Sequence, residues 1–259
     1  MKITFLGTNG WYASSTGNTM CTLIEAPTRY IVLDAGDGIH RLDKFVKDEN
    51  KPVDIFLSHF HLDHIIGLHI QPKFLFKNKI RIFGQKGVDA QLDKLINKPF
   101  TAPFSLLREK LNLDISVHEY LEGENKIDEY KVTTAPLIHA DPCFGFRFEL
   151  RDSDNSKKII SYCTDTGPCD NLIKLSKMAD VLITECSLLP TDTLTPSWPH
   201  MTPQAGAQAA KNAQCKKLVL SHFVANKYDS FEKRDLAVLA AKKIFENTVG
   251  AKDELELEI

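Results

Sequence analysis

The chain has 259 residues, 43% hydrophobic and 25% charged, which excludes a disordered or collagen-like polypeptide. Lysine plus arginine number 32 against 34 acidic residues; the net charge of −2 excludes a broad cationic field of the nucleic-acid coat-protein kind, though not a local basic patch. No apolar run approaches the ~18 residues of a membrane span, and Met1–Thr8 breaks into glycine and asparagine too early for a signal-peptide core, so a cytoplasmic protein is expected.

Met1–Thr8, Thr19–Glu25 and Arg29–Ala35 are apolar or β-branched runs separated by glycine, proline and asparagine, the pattern of an opening β-meander. Asp37–Lys47 carries Ile39, Leu42, Phe45 and Val46 at helical spacing, with Phe45 expected in the core. Val53–Leu57 is an apolar run apart from Asp54, expected as a strand covered on both faces. Lys79–Phe83 reads as a strand and Val88–Ile96 as a helix. Leu113–Leu121, Tyr130–Leu137, Phe144–Leu150 and Lys158–Cys163 read as strands, the last two joined by the turn Asp152–Ser156. Leu172–Ala179 is predicted as a short helix with Met178 in the core, and Val181–Thr184 as a buried strand. Thr202 is a suitable N-cap and Pro203 a suitable first helical residue for an alanine-rich helix reaching about Ala213. Lys217–Leu220 then reads as a strand and Phe231–Asn247 as an amphipathic helix, and Lys252–Glu258 either frays or forms an edge strand. There is no linker, repeat or low-complexity segment, so residues 1–259 read as one domain. Strands in both halves with helices between and after them predict an α/β fold, two sheets inside and helices outside. The six cysteines form no C-x-x-C pair and are expected as reduced, mostly buried thiols.

The chemistry concentrates in Ser58-His59-Phe60-His61-Leu62-Asp63-His64, an H-x-H-x-D-H pattern that follows directly on a predicted buried strand. His59 and His61 project on one side of the strand end, two residues apart. Asp63 and His64 fall where the backbone turns and can face the same cavity. Three imidazoles and a carboxylate within six residues are an unreasonable density of polar groups for a strand end without a metal. One such cluster cannot fill two metal shells, and further ligand-type residues stand at three other predicted strand ends: His139, Asp165 and His222.

This ligand set resembles the metallo-β-lactamase superfamily, from the glycine turn at Gly7 through Leu33-Asp34-Ala35-Gly36 to Ser221-His222-Phe223. The resemblance implies a four-layered αββα sandwich with two divalent metals at one edge. Zinc is the expected metal, with manganese, iron or nickel open to the same nitrogen and oxygen ligands. It assigns one metal to His59, His61 and His139, the other to Asp63, His64 and His222, and a bridging role to Asp165. It implies hydrolysis by a metal-bridging hydroxide, which Asp63 would help to orient. Asp34 is similar to the superfamily aspartate that orients a ligand histidine. His40, His69 and His118 read as surface or packing residues, and Lys211, Lys216 and Lys217 as a solvated face.

Trp198-Pro199-His200-Met201-Thr202-Pro203 is similar to the H-x-T element of ribonuclease Z and related phosphodiesterases, which places a histidine beside the scissile phosphate. Glu185 is similar to the carboxylate that partners that histidine. The family's tRNA-binding arm, inserted between the third histidine and the bridging aspartate, has no room between His139 and Asp165. A phosphodiesterase on small phosphodiesters or nucleotides is therefore the leading expectation, with an anionic small-molecule substrate rather than a long nucleic acid, no membrane partner, and a homodimer left open. The alternatives are a lactonase or other ester or thioester hydrolase, tRNA 3′-processing by ribonuclease Z chemistry, and a non-catalytic metal-binding module. Against the lactonase, Asp165 is followed by Thr166-Gly167-Pro168 rather than tyrosine, so Tyr162 would supply a phenol only from the cavity face.

Overall fold

The computed structural model describes residues 1–74, 76–103 and 113–259. In chain order the first half lays down β1 (Lys2–Gly7), β2 (Asn9–Gly10), β3 (Cys21–Glu25), β4 (Tyr30–Leu33), β5 (Val53–Phe56), β6 (Ile80–Gly84) and β7 (Ile115–Glu119). The second adds β8 (Gly123–Ile127), β9 (Tyr130–Pro136), β10 (Phe144–Arg151), β11 (Lys157–Cys163), β12 (Val181–Glu185), β13 (Leu218–Ser221), β14 (Phe223–Val224), β15 (Thr248–Gly250) and β16 (Glu256–Glu258). The α-helices are α1 (Leu62–Ile65), α2 (Val88–Leu95), α3 (Asp170–Ser176), α4 (Pro203–Asn212) and α5 (Phe231–Lys242), with 3₁₀ segments at Asp37–Lys44 and Ile66–Lys73.

Two seven-stranded sheets result, in the orders β16-β1-β3-β4-β5-β6-β7 and β15-β13-β12-β11-β10-β9-β8, beside a short β14-β2 pair. Each large sheet is antiparallel on one side and parallel on the other, the parallel pairs being β4-β5-β6-β7 and β11-β12-β13-β15. The inner faces meet in one apolar layer, where Phe56 stacks on Phe83 at 4.7 Å and receives Phe146 and Phe148 edge-on from the other sheet. Outside the first sheet, the 3₁₀ segments and α2 cover a second apolar layer; outside the second sheet, α3, α4 and α5 cover a third. This is the αββα sandwich the sequence predicts. No helix among the described residues is long and apolar enough to cross a membrane.

One polar residue breaks the buried run of β5. Asp54, fully buried, accepts from Arg29 Nη1 (2.6 Å), from Arg81 Nε and Nη2 (2.6 and 2.8 Å) and from the Tyr130 hydroxyl (2.8 Å). Tyr130 belongs to the second sheet, so this carboxylate ties the two sheets together, and both of its oxygens are hydrogen-bonded.

Some expectations need correction. Asp37–Lys44 winds as 3₁₀ rather than α-helix; it is short and holds a glycine, Gly38, in place of a helix former. Met178 is not core: it is 61% exposed at φ +53° in the turn after α3. Strand β8, Gly-Glu-Asn-Lys-Ile, escaped notice because an edge strand half open to water needs no apolar run. The Lys252–Glu258 tail does form an edge strand, pairing Lys2 with Glu258 and Thr4 with Glu256. Phe45 is partly buried against the outer layer, and all six cysteines are free, five of them buried.

Candidate metal centre

The parallel strands of both sheets end at one edge, and the candidate ligands stand there, His59, His61, His139, Asp165 and His222 in loops and Asp63 and His64 on α1. His59 follows β5 by three residues, and α1 then turns Asp63 and His64 back toward it. His139, Asp165 and His222 follow β9, β11 and β13. The backbone is held in uncommon positions: Asp34, Asp165 and His222 have φ of +57°, +48° and +47°, and Trp11 has +74°. Two glycines make room. A Cβ on Gly36 would stand 2.1 Å from the Asp63 carbonyl oxygen, and one on Gly10 would stand 2.4 Å from Cε1 of the His222 ring.

The side chains converge as two groups, His59, His61, His139 and Asp165 in one and Asp63, His64 and His222 in the other; within each, one ligand atom per residue lies within 4.8 Å of the rest. Asp165 belongs geometrically to both. Its Oδ2 is 3.1 Å from His59 Nε2 and 2.8 Å from His64 Nε2, and its Oδ1 is 3.0 Å from His222 Nε2. Asp63 Oδ2 lies 3.4 Å from His222 Nε2 and accepts the Trp11 backbone N–H at 2.7 Å.

Whether these residues suit a cation is decided by their unused atoms. His64 Nδ1 meets Asp34 Oδ2 at 2.7 Å, His59 Nδ1 meets Ser58 Oγ at 3.0 Å and His222 Nδ1 meets Ser187 Oγ at 3.1 Å. Each ring therefore spends its outer nitrogen on the protein and turns Nε2 inward. His61 is reversed, with Nε2 on Asp141 Oδ2 at 2.7 Å and Nδ1 toward His139 Nε2 at 3.4 Å. His59 Nε2 and Asp165 Oδ1 are buried without a hydrogen bond although other ligand atoms lie within about 3 Å, because they aim at a common point rather than at each other. That is the arrangement a divalent ion completes, and the donor set fits one.

Charge points the same way. Burial lowers the His59 imidazole, and it holds His139 at about 4. At His222 burial is outweighed by Asp165 and Asp63, which raise it to about 10, and Asp63, Asp165 and Asp34 raise His64 likewise. Burial resists ionisation of Asp63 and Asp165, yet the neighbouring imidazoles keep both carboxyls well below the usual carboxylate range. The site thus holds ionised carboxylates that call for positive charge, and metal binding there releases protons.

Asp34, buried on β4's end, gathers the Ser58 N–H and hydroxyl, His64 Nδ1 and the Tyr162 hydroxyl at 2.7–2.9 Å. Tyr162 is fully buried on this aspartate and does not line the cavity, so it offers no phenol to a substrate. His200 lies in the loop before α4, 6% exposed, with Nδ1 2.8 Å from Glu185 Oε1. Glu185 also accepts the backbone N–H groups of Thr166, Ser187 and Met201, which lock it in place. Burial opposes charge on His200, but Glu185 prevails and raises its pKa above the ordinary value. Asp165, Glu185 and His200 can themselves group around an ion. His40, His69 and His118 stay outside this cavity. Sequence reasoning missed Asp141, Ser58 and Ser187; Asp141 stands two residues past His139, but a lone aspartate there carries no pattern.

The side chains surround a cavity of about 250 Å³, lined by His61, Asp63, His139, Asp165, His200 and His222 together with Trp11 and Trp198. Fold and site define a class. The family model described as beta-lactamase superfamily domain matches residues 29–223, and the chain belongs to that family: it is a metal-dependent hydrolase of the metallo-β-lactamase fold. It is similar to ribonuclease Z of Pyrococcus horikoshii, 26% identical with 86% of each chain covered, and to ribonuclease Z of Methanothermobacter thermautotrophicus, 25% identical with 100% of this chain and 97% of that relative covered. Among solved structures, the metallo-β-lactamase fold protein YhfI from Bacillus subtilis superposes with a TM-score of 0.78 at 23% identity, covering 100% of this chain and 99% of that one. Human tRNase Z, short form, superposes with a TM-score of 0.74 at 22% identity, with the same coverage. The ribonuclease Z relatives favour that alternative over the small-phosphodiester reading placed first from sequence.

Proposed function

We propose that this hydrolase cleaves phosphodiester bonds by ribonuclease Z chemistry, with RNA as substrate class. The observation that carries the reading is the Glu185–His200 pair, locked at 2.8 Å beside the converging ligands. His59, His61 and His139 would hold one divalent ion, Asp63, His64 and His222 the other, with Asp165 between them. When bound, the ions supply Lewis acidity toward the phosphoryl oxygens and an acidified water. Asp63 has Oδ2 fixed by the Trp11 N–H and keeps its carboxylate oriented toward the attacking side. His200, with Nδ1 spent on Glu185, keeps Nε2 for the cavity; a proton there neutralises the alkoxide that leaves as the P–O bond breaks.

A second reading, small phosphodiesters or nucleotides, is favoured by one observation. Between His139 and Asp165 the chain makes only β10 and β11, joined by a tight turn with Asp152 N–H to Ser156 O at 2.9 Å. The match to the Methanothermobacter enzyme runs over 311 positions for 259 residues, so about 50 positions of that alignment have no residue here. The test is turnover by zinc- or manganese-reconstituted protein on a tRNA precursor carrying a 3′ trailer, a dinucleotide, a lactone, a thioester and a β-lactam. Cleavage of the trailer supports ribonuclease Z chemistry, cleavage of the dinucleotide alone supports the second reading, and hydrolysis confined to the carbonyl substrates overturns both.

A further inference from the structure

The chain has two tryptophans, and both line the cavity over the candidate metal centre. Neither is buried: Trp11 is 65% exposed and Trp198 61%. An indole is among the most expensive surfaces to leave in water, and two of them on one mouth form an apolar patch beside a strongly polar site. No packing need explains the placement, because the buried layers contain no part of either ring.

Both rings are held in register with the chemistry. Trp11 is a non-glycine residue at φ +74°, and its backbone N–H donates to Asp63 Oδ2 at 2.7 Å, so the loop that presents the ring is fastened to a candidate ligand. Tyr12 supports the Trp11 ring edge-on, centroids 5.2 Å apart. Trp198 is set by its N–H to the Thr195 carbonyl at 3.2 Å and by the His200 N–H, which donates to the Trp198 carbonyl at 2.9 Å. Its ring centroid lies 5.2 Å from that of His200. Among the described residues, neither indole N–H donates to a protein acceptor, so each ring is secured through its backbone while its faces and its donor stay available.

The occupant must therefore be planar, aromatic and covalently close to the group attacked at the centre. Among phosphodiesters, nucleotides meet all three conditions, since every nucleobase presents a π-face and stacking on an aromatic side chain is tolerant of base identity. The cavity of about 250 Å³ lies just under the ~300–1,000 Å³ range of small-molecule pockets, a size for one nucleotide unit rather than a folded duplex. We propose that Trp11 and Trp198 form a base-stacking subsite that holds the nucleobase adjoining the scissile phosphodiester. This rests on the phosphodiesterase reading and narrows it: the substrate is recognised one base at a time at the mouth, with no need for a separate arm to place the cleaved bond.

The test uses metal-loaded protein and two probes that differ only by the base, adenosine 5′-monophosphate and ribose 5-phosphate. Affinities are measured by calorimetry and by tryptophan emission. The expected result is that the nucleotide quenches emission and binds at least tenfold more tightly than the sugar phosphate. Trp11→Ala and Trp198→Ala should each remove about 5- to 160-fold of nucleotide affinity, the range that stacking on one ring supplies, while changing ribose 5-phosphate affinity less than twofold. Trp11→Phe and Trp198→Phe should restore most of the difference, which a loop merely disturbed by truncation would not do. Equal affinity for the two probes, or equal losses for both in the alanine variants, overturns the subsite. The reading beneath it is tested separately: a dinucleotide that is cleaved equally well by the parent and by both alanine variants leaves the phosphodiesterase standing and removes the subsite. A tryptophan-dependent preference without cleavage of any phosphodiester does the reverse.

Discussion

Gly10→Ala adds one methyl group to the chain, and its effect follows from distances. The new Cβ would stand 2.4 Å from His222 Cε1 and 2.7 Å from both ring nitrogens, whereas carbon atoms rest about 3.5–4.0 Å apart. Gly10 is not in the left-handed region, so alanine costs no backbone strain and the collision is the whole effect. The ring must retreat by about 1 Å. It has little space to do so, being stacked on His64 with centroids 5.2 Å apart and placed with Nδ1 3.1 Å from Ser187 Oγ. Overpacking of this kind costs about 1–3 kcal/mol, a fall in Tm of about 2–10 °C for a chain of this size. A displacement of about 1 Å at a reacting centre costs about 100-fold in kcat, and a displaced ligand about 10- to 100-fold in metal affinity. Elemental analysis after dialysis against graded chelator, together with thermal melting and turnover of a dinucleotide, reads all three. Parent-like metal retention and turnover in Gly10→Ala would refute the placement of His222 as a ligand whose position the glycine protects.

Three other outcomes are expected. His139→Ala and His222→Ala should each drop the metal content from two ions per chain toward one; a parent protein that holds one ion under metal-replete purification removes the dinuclear assignment. Glu185→Gln should lower turnover of diesters with poor alkyl leaving groups by about 10²-fold and spare nitrophenyl esters. His200 is charged below its raised pKa, so activity that needs the charge falls as pH rises through that value; in the glutamine variant the fall should move to lower pH, and an unmoved alkaline limb would count against the pair. Asp54→Ala should destabilise by about 1.5–3 kcal/mol, less than an orphaned buried charge would cost because Arg29 keeps Asp128 and Glu129 and Arg81 keeps Asp128, read as a lower urea midpoint with metal content unchanged.

The four layers and the convergence of His59, His61, Asp63, His64, His139, Asp165 and His222 were legible because each rests on a local rule. Strands covered on both faces read as apolar runs, and ligand-type residues stood where those runs stopped. What could not be read was set by partners distant in sequence. Nothing near Asp54 in β5 signals its partners, Arg29 just before β4, Arg81 on β6 and Tyr130 on β9. Asp141 matters only because it meets His61, 80 residues earlier. Met178 was misplaced because a helical pattern assigns it an inward face, whereas the chain leaves the helix at Ser176. The ribonuclease Z relatives favour the other order of substrates, and for another reason: the short stretch between His139 and Asp165 says how RNA is not gripped there, but nothing about which bond is cut.

The pairing of β16 with β1 has a consequence for biosynthesis. Lys2 and Glu258 are neighbours in the finished sheet, yet a ribosome adding about 5–20 residues per second emits them roughly 10–50 s apart. For that interval the outer margin of β1 has no strand to bond with and offers its amides to any other extended peptide, including the β1 of a nascent chain on the neighbouring ribosome. Asp253, arriving just as late, is the residue that fastens Thr8, Asn18 and Arg41 around the loop carrying Gly10 and Trp11. The loop carrying Gly10 and Trp11 thus waits, for its fastening, on a residue made more than 200 positions after it.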